Sequence, residues 1–406
     1  MRHIGVVLLT ALAATACTDS PAQDLPSAPP TVSAPATAAA QATALRADVV
    51  ANGLQHGWDV GFLPDGSMLV TQRPGRLALV EGTPGGPDGP VNTVSTVAAD
   101  FSDVLVTGEG GLMGMVVHPD FATSHLFTTC QTHQENGVAV DVRLVTWELS
   151  PDKRSAAKVR DLLTGLPVSA GGRHSGCRPQ IAADGALLVG TGDTAEPDVA
   201  QDRHSLGGKV LRIDLNTGAP LPDNPFASSA DPNEQRIYTY GHRNIQGVAV
   251  RPGTGQVFTA EHGPTFDDEV NLIRAGGNYG WDPSQGGTVD FYDESVPMTD
   301  LERFPDAVRP LWTSGEITEA ICGAAFVSGP QWGPLDGRLA VVALKGQKML
   351  LFTLDGSGAV TEVYLPPEFD DAYGRLRAVR SGPDGALYVT TSDGDDDKLL
   401  RVTPAA

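Results

Sequence analysis

Hydrophobic and polar positions alternate along most of the chain after residue 46, in short runs that come in pairs. "GWDVGFLPDGSMLVTQRPGRLALV" and "RPQIAADGALLVGTGD" are two examples, each with an Asp-Gly turn between its runs. Strict alternation over a short run is typical of a half-buried strand, and an Asp-Gly turn between two such strands predicts a β-hairpin. Because long runs at the helical period are missing, we expect an all-β chain.

The same hairpin pattern occurs six times. The other copies are "GGLMGMVVHPDFATSHLFTTCQ", "GVAVRPGTGQVFTAEHG", "QWGPLDGRLAVVALKGQKMLLFTL" and "LRAVRSGPDGALYVTTSDGDDDKLLRV". Several copies add a third strand, such as "KVLRIDL". Repeats of this kind, roughly 50 to 80 residues apart, predict a six-bladed β-propeller of four-stranded antiparallel blades. A double-sheet sandwich is the alternative, and it explains the six-fold repetition less well.

The N-terminus has the pattern of a bacterial lipoprotein signal. "MRHIGVVLLTALAATACTDS" begins with a short polar region, continues with an apolar run over residues 4–16 that is too short to span a bilayer, and ends in small residues before Cys17. In such signals the cysteine becomes the lipidated first residue. We therefore expect residues 1–17 to be a signal segment that is cleaved immediately before a lipid-bearing Cys17. Secretion with cleavage nearby is the alternative.

Residues 18–45 are dominated by Pro, Ala, Ser and Thr and contain no bulky core residues. Such a segment cannot bury enough apolar surface to fold, and it predicts a flexible tether. We therefore expect a propeller domain over residues 46–406, held outside the cytoplasm on a membrane only by its lipid, or secreted.

Length alone suggests two or three domains, although a single all-β domain can be this long, and the charge argues against nucleic acid as a partner. The chain has 406 residues, 41% of them hydrophobic, with 47 Gly, 31 Pro and a formal net charge of −21. A charge of this size and sign argues against binding to nucleic acid or to an anionic membrane surface. It is typical of a soluble extracytoplasmic protein or of one that binds cations.

One candidate catalytic pair lies in "GGRHSGCRPQIAADGALLVGTGD". His174 is in a Gly/Ser loop before a strand, and Asp193 is at the far end of the same hairpin. A histidine can abstract a proton near neutral pH, especially when a carboxylate orients it. The alternative is that His174 is an incidental loop residue.

Several cations lie at predicted strand ends and indicate an anionic ligand. Arg243 is in "YTYGHRNIQG", Lys345 is in "ALKGQK", and Arg375 and Arg377 are spaced i, i+2 in "YGRLRAV", a spacing that places both on one face of a strand. Arginine near a core needs an anionic partner. For Arg243 a structural salt bridge remains open.

The acidic segment "EHGPTFDDEVNLIRAGGNYGWD", residues 261–282, is either a solvated loop or a calcium site. Calcium prefers carboxylate and carbonyl oxygens. Gly263 and Pro264 supply adjacent carbonyls, the "DDE" run supplies carboxylates, and Tyr279 can add a backbone oxygen.

Three cysteines follow Cys17. We expect a disulfide between Cys130 and Cys177, because both flank the candidate site and an oxidising compartment allows one pair. Cys322 would then be a buried free thiol.

Together these motifs resemble the soluble pyrroloquinoline quinone (PQQ) dependent glucose/aldose/sorbosone dehydrogenases, a family of six-bladed propellers. The resemblance covers roughly residues 46–403. It rests on "GGLMGMVVHPDF", "HSGCR" with "GTGD", "LGGKVLRID", "YGHRNIQG", "EHGPTFDDEVNLIRAGGNYGW", "LKGQ" and "GRLRAVRSGPDGALYV", in matching order. Three positions depart from the family pattern, and none removes a catalytic group: Ile245, Asp282 and Cys177.

The resemblance implies a role for each matching residue. The proton-abstracting base falls on His174, its supporting aspartate on Asp193, and a polar residue of the sugar pocket on Glu109. Residues that would bind the cofactor are Arg243, Asn244, Lys345, Arg375 and Arg377. Carbonyls of Gly263 and Pro264 match the ligands of the calcium that PQQ shares, and Glu269 and Tyr279 match a second, structural calcium site.

The activity implied is oxidation of an aldose-type sugar at C1 to the lactone, with hydride transfer to the quinone and electrons passed to an external acceptor. Two alternatives stay open. A calcium-dependent sugar lactonase would need a carboxylate-rich metal cage and no basic cradle. A non-enzymatic propeller that binds glycans or proteins at the cell surface would need neither His174 nor the cradle.

Overall fold

The structure is a computed structural model that describes residues 43–82 and 92–405, and these fold into six four-stranded antiparallel sheets. The predicted lipidation site Cys17, the signal segment and nearly all of the predicted tether lie outside the described residues. The first described strand is β1 (Leu45–Gln55), which begins one residue before the expected domain boundary.

Each of the first five blades is formed by four consecutive strands. Blade 1 contains β2 (Gly57–Phe62), β3 (Met68–Gln72), β4 (Arg76–Glu81) and β5 (Thr93–Val97). Blade 2 contains β6 (Leu112–Val117), β7 (Leu126–Glu135), β8 (Val138–Leu149) and β9 (Ala156–Leu166). Blade 3 contains β10 (Arg178–Ile181), β11 (Leu187–Gly190), β12 (Lys209–Ile213) and β13 (Ile237–Tyr240).

Blade 4 contains β14 (Ile245–Val250), β15 (Val257–Glu261), β16 (Glu269–Leu272) and β17 (Trp312–Thr313). Blade 5 contains β18 (Ile321–Phe326), β19 (Leu339–Ala343), β20 (Met349–Leu354) and β21 (Val360–Tyr364). Blade 6 contains β22 (Leu376–Ser381), β23 (Leu387–Thr391) and β24 (Asp395–Pro404) together with β1. The short helices of the described residues are Phe121–Ser124, Glu234–Arg236, Pro330–Leu335 and Pro367–Phe369.

The six sequence hairpins fall in six different blades, so the predicted six-bladed propeller is confirmed and the sandwich alternative is wrong. The first strand of each blade contacts the first strands of both neighbouring blades, which closes the ring. Nearly every residue of these first strands is buried, because the neighbouring blades cover both faces of each strand. Among the described residues no helix is long and apolar enough to cross a membrane.

The ring is closed by the N-terminal strand. β1 pairs antiparallel with β24, with Leu45 opposite Pro404, and so it supplies the outer strand of blade 6. A propeller removes exposed sheet edges by radial closure, and this pairing joins the two ends of the domain in one sheet.

A buried ion cluster lies where the first strands of blades 1, 3 and 6 meet. Asp59 on β2 is fully buried, and its Oδ2 lies 2.9 Å from Arg178 Nη1 on β10 and 2.7 Å from Arg380 Nη2 on β22. A cavity of about 490 Å³ opens at the ends of the first strands, and Arg380 contributes to its lining. The candidate site described next lies at the other face, where these strands begin.

Candidate active site

The expected catalytic pair is formed between two loops of blade 3. His174 precedes β10 with a φ of 48°, and Asp193 follows β11. His174 Nδ1 lies 2.7 Å from Asp193 Oδ1, and the two side chains are 4% and 0% exposed. Burial favours the protonated acid, but the charge and hydrogen bond of His174 outweigh it and hold the pKa of Asp193 below its usual value.

Glu109, the residue expected in the sugar pocket, lies beside this pair. Its Oε1 accepts the backbone N–H of His174 at 3.3 Å, and its Oε2 accepts the Asn244 side-chain amide at 2.9 Å and the Gln246 amide at 3.3 Å. Burial opposes ionisation of Glu109, yet His174, His262 and the Asn244 hydrogen bond lower its pKa. Glu109 is therefore an ionised acceptor beside the expected base.

Arg243 is buried and bridges blade 4 to a long insertion. Its Nη1 donates to the carbonyl oxygens of His262 and Gly263, both at 3.0 Å, and its Nη2 donates to Glu294 Oε1 at 2.6 Å. Arg243 does have a salt-bridge partner, so the structural role left open from the sequence is present. It also contacts a carbonyl that was expected to bind calcium.

The remaining expected cofactor cations gather at the same face of the ring. Arg377 lies in β22 and is buried, with one hydrogen bond from Nη1 to Gln246 Oε1 at 3.0 Å and an unpartnered, buried Nε. Arg375 immediately precedes β22 and is exposed, and Lys345 is exposed in the turn after β19. Within residues 43–82 and 92–405, none of these three cations pairs with a carboxylate. Burial lowers the pKa of Arg377, and the charges of Arg375 and Arg73 add to this effect.

Two buried carboxylates of the acidic segment, Asp268 and Glu269, differ in their surroundings. Asp268 is buried and accepts Gly263 N at 2.8 Å, Thr318 Oγ1 at 2.7 Å and Glu319 N at 2.7 Å, so it braces the Gly263 loop. Glu269 is 2% exposed, and burial together with the neighbouring Glu261 raises its pKa to about 8.

Glu269 and Tyr279 lie close enough for their charges to interact. The charge of Glu269 is among the causes that raise the pKa of the buried Tyr279 phenol, after burial itself. Within the described part of the chain, the Glu269 oxygens accept from two neutral donors, Thr299 Oγ1 at 2.8 Å and Asn271 Nδ2 at 3.1 Å. The described residues contain no group of three or more His, Cys, Asp or Glu side chains arranged to hold a metal.

The sulfur atoms of Cys130 and Cys177 are bonded, and their Cα atoms are 6.2 Å apart. The bond joins β7 of blade 2 to the loop that presents His174 in blade 3. Cys322 is a buried free thiol, and burial raises its pKa.

Sequence reasoning missed several polar and aromatic residues of the site. Gln246 and Trp281 stand inside motifs already singled out, "GHRNIQG" and "GGNYGW", and their place in those motifs was a usable signal. Tyr292 and Glu294 lie between β16 and β17, where the chain shows no strand alternation. No local pattern in the sequence indicates their contacts.

Comparisons with known proteins agree on one family. The sequence model of the family described as Glucose / Sorbosone dehydrogenase matches residues 54–401. The chain is 28% identical to aldose sugar dehydrogenase YliI of Escherichia coli K12, over 89% of this chain and 93% of that protein. It is 35% identical to quinoprotein glucose dehydrogenase B of Acinetobacter calcoaceticus over 45% of this chain and 42% of that protein. The PQQ-bound aldose sugar dehydrogenase of Streptomyces coelicolor superposes with a TM-score of 0.68 at 28% identity, covering 89% of this chain and 99% of that one.

Proposed function

Because this chain belongs to the glucose/sorbosone dehydrogenase family, we propose that it oxidises an aldose-type sugar at C1 to the lactone in a reaction that depends on PQQ and calcium. The chain is a sugar dehydrogenase of the quinoprotein type, an oxidoreductase, in common with its relatives. An external carrier takes up the two electrons. Nucleic acid has no part in the proposal.

The residues of the site divide the chemistry between proton transfer and orientation. His174 Nδ1 is hydrogen-bonded to Asp193, so Nε2 is the atom that would take the proton from the hydroxyl group on C1. Glu109, which accepts a hydrogen bond from Asn244, would hydrogen-bond the sugar hydroxyls beside it. When bound, PQQ would accept the hydride that leaves C1 with both electrons of its bond.

The observation that supports PQQ on this chain is the set of cations without carboxylate partners. PQQ carries three carboxylates. Hydrogen bonds from Arg and Lys to carboxylates are charge-assisted, and they are roughly twice as strong as hydrogen bonds between neutral groups. Arg377, with its buried unpartnered Nε, would bind one carboxylate, and Arg375 and Lys345 would bind at the exposed rim. Arg243 and Asn244 would face the quinone.

Calcium is proposed at two places. Carbonyls of Gly263 and Pro264 would bind the ion shared with the cofactor, and that ion would supply Lewis-acid chemistry. Glu269 and the backbone oxygen of Tyr279 would bind a structural ion, because a buried carboxylate with no cationic partner among the described residues is stabilised by a bound cation.

Reconstitution tests the proposal directly. The purified protein is stripped of metal and quinone, then assayed with a panel of aldoses and an artificial electron acceptor after adding PQQ, calcium, both or neither. We expect turnover only with both. Dye reduction without PQQ would refute the cofactor assignment, lactone hydrolysis without PQQ would favour the lactonase alternative, and binding of glycans without turnover would favour the non-enzymatic one.

We also propose that Cys17 carries a lipid which anchors the domain outside the cytoplasm. The sequence pattern around Cys17 supports this. Cys17→Ser expressed in a bacterial host should move from the membrane fraction to the soluble fraction. Retention in the membrane as firmly as the unmodified chain would contradict the anchor.

A further inference from the structure

The carboxylate of Asp193 is surrounded by four hydrogen-bond donors. Oδ1 accepts from His174 Nδ1 at 2.7 Å and from the backbone N–H of Ala195 at 2.9 Å. Oδ2 accepts from Trp281 Nε1 at 2.8 Å and from the Tyr292 hydroxyl at 2.6 Å. An ionised carboxylate has about four acceptor sites, so all of them are occupied.

This arrangement determines which nitrogen of His174 carries the proton. A carboxylate with every acceptor site in use has no place for a proton of its own, and it can only accept from Nδ1–H. The neutral imidazole then has a bare Nε2, the form that a general base needs. Asp193 itself is fully buried, so its hydrogen bonds, not water, stabilise its charge.

Tyr292 reaches this carboxylate from another blade. It lies in the segment between β16 and β17 of blade 4, whereas Asp193 and His174 belong to blade 3. The segment is held by Glu294, whose Oε1 lies 2.9 Å from Arg173 Nη2 and 2.6 Å from Arg243 Nη2. The Arg173 guanidinium also lies 5.6 Å from the centre of the Tyr292 ring, and that ring lies 5.7 Å from the His174 ring.

We propose that Tyr292 is a positioning residue for the His174–Asp193 pair: its hydroxyl completes the hydrogen-bond shell of Asp193 and thereby sets the tautomer and the basicity of His174. The role of His174 as base rests on the proposed function, whereas the effect of Tyr292 on the imidazole does not depend on catalysis. Tyr292 adds to the site a group that the sequence motifs do not contain.

The sign of the effect follows from the direction of the hydrogen bond. The Tyr292 O–H draws negative charge from Oδ2, and Tyr292→Phe returns that charge to the carboxylate, which then stabilises the imidazolium more strongly. The protonated form of His174 should therefore be favoured more in Tyr292→Phe than in the wild type. The other ionisable groups around the imidazole are unchanged by the substitution: Glu109, His262, Arg173, Arg243 and Glu294.

The first test uses the full chain without cofactor and measures the imidazole itself. Histidine is labelled with ¹⁵N, the His174 signal is assigned by its loss in His174→Gln, and its tautomer and pKa are followed by NMR titration. We expect Tyr292→Phe to raise the pKa of His174 and to strengthen the preference for Nδ1–H, because the Asp193 carboxylate becomes a stronger acceptor. The matched control is Tyr388→Phe, which removes a tyrosine hydroxyl 3.3 Å from Asp384 Oδ2 in another blade and should leave the His174 signal unchanged.

The second test uses the reconstituted enzyme. Tyr292→Phe should move the acidic limb of the kcat/KM pH profile to higher pH. It should also lower kcat up to about fivefold, which corresponds to the loss of roughly one hydrogen bond, with little change in KM. A His174 tautomer and pKa identical to wild type in Tyr292→Phe would overturn the inference even if the variant were less stable. Inactive wild-type protein would instead count against the proposed function and leave the NMR result to decide this inference.

Discussion

Replacing Asp59 by Asn should lower the free energy of unfolding far more than replacing any exposed aspartate by Asn. Asp59 is the carboxylate shared by the buried Arg178 and the partly buried Arg380, 2.9 Å from Arg178 Nη1 and 2.7 Å from Arg380 Nη2, and it also accepts the backbone N–H of Met115 at 3.0 Å. Asn keeps the shape but leaves one buried and one partly buried positive charge without this counter-charge, and it points an amide N–H at one of them. Breaking a buried ion pair from one side costs about 3–5 kcal/mol.

Equilibrium unfolding in urea measures this cost, and the chain contains a matched control. Asp384 pairs with Arg401 at 2.8 Å, but the side chains are 35% and 23% exposed, so Asp384→Asn should cost at most about 1 kcal/mol. Both variants lose one arginine-paired carboxylate, and they differ in burial and in the number of arginine partners, two for Asp59 and one for Asp384. Equal and small costs for the two variants would refute the reasoning that burial makes the Asp59 cluster important.

The pH dependence supplies an independent check on the same cluster. Burial works to raise the pKa of Asp59, but Arg178 and Arg380 outweigh it and the pKa in the folded protein is lowered. A lowered pKa means that the stabilisation is fully present above the unfolded value of about 4 and is lost as pH falls through the folded value. In the pH range of about 5–7, the Asp59 carboxylate is ionised in both the folded and the unfolded state. The stability difference between wild type and Asp59→Asn should therefore be constant over that range and shrink only on stronger acidification.

Three further predictions concern the site and its supports. His174→Ala should lower kcat about 10²- to 10⁴-fold while PQQ affinity, measured by absorbance titration, stays near wild type; near wild-type turnover would make His174 an ordinary loop residue. Arg375→Ala and Arg377→Ala should each weaken PQQ binding by about 1.5–3 kcal/mol and recover turnover at saturating PQQ, and unchanged affinity in both would refute the basic cradle. The double variant Cys130→Ser, Cys177→Ser removes a disulfide between residues 47 positions apart in sequence, and it should lower the free energy of unfolding, measured in urea, by about 4 kcal/mol. An unchanged unfolding midpoint would show that the disulfide does not stabilise the fold.

The sequence was sufficient for the architecture because its signals are local. Alternating strands and Asp-Gly turns depend on neighbours within a few residues, and their six-fold repetition left few folds that could accommodate them. Motifs at strand ends likewise singled out His174, Asp193, Arg243 and Arg377, and the fold gathers these residues at one face because the first strands of all blades run in the same direction. The family resemblance then connected these residues to a quinone and a sugar.

The tertiary structure decided which distant groups meet. Asp59 and Arg380 are 321 residues apart, and Tyr292 and Asp193 are 99 residues apart, so no window of sequence contains either pair. Ring closure brings β2 and β22 together across the first and last blades, and the blade 4 insertion returns over blade 3. Side-chain contacts of this kind depend on the angle and spacing between blades, which the alternation of apolar residues along a strand does not encode. That is why the sequence could single out His174 and Asp193 as a candidate pair, whereas only the folded ring showed the hydroxyl and the indole that donate to Asp193.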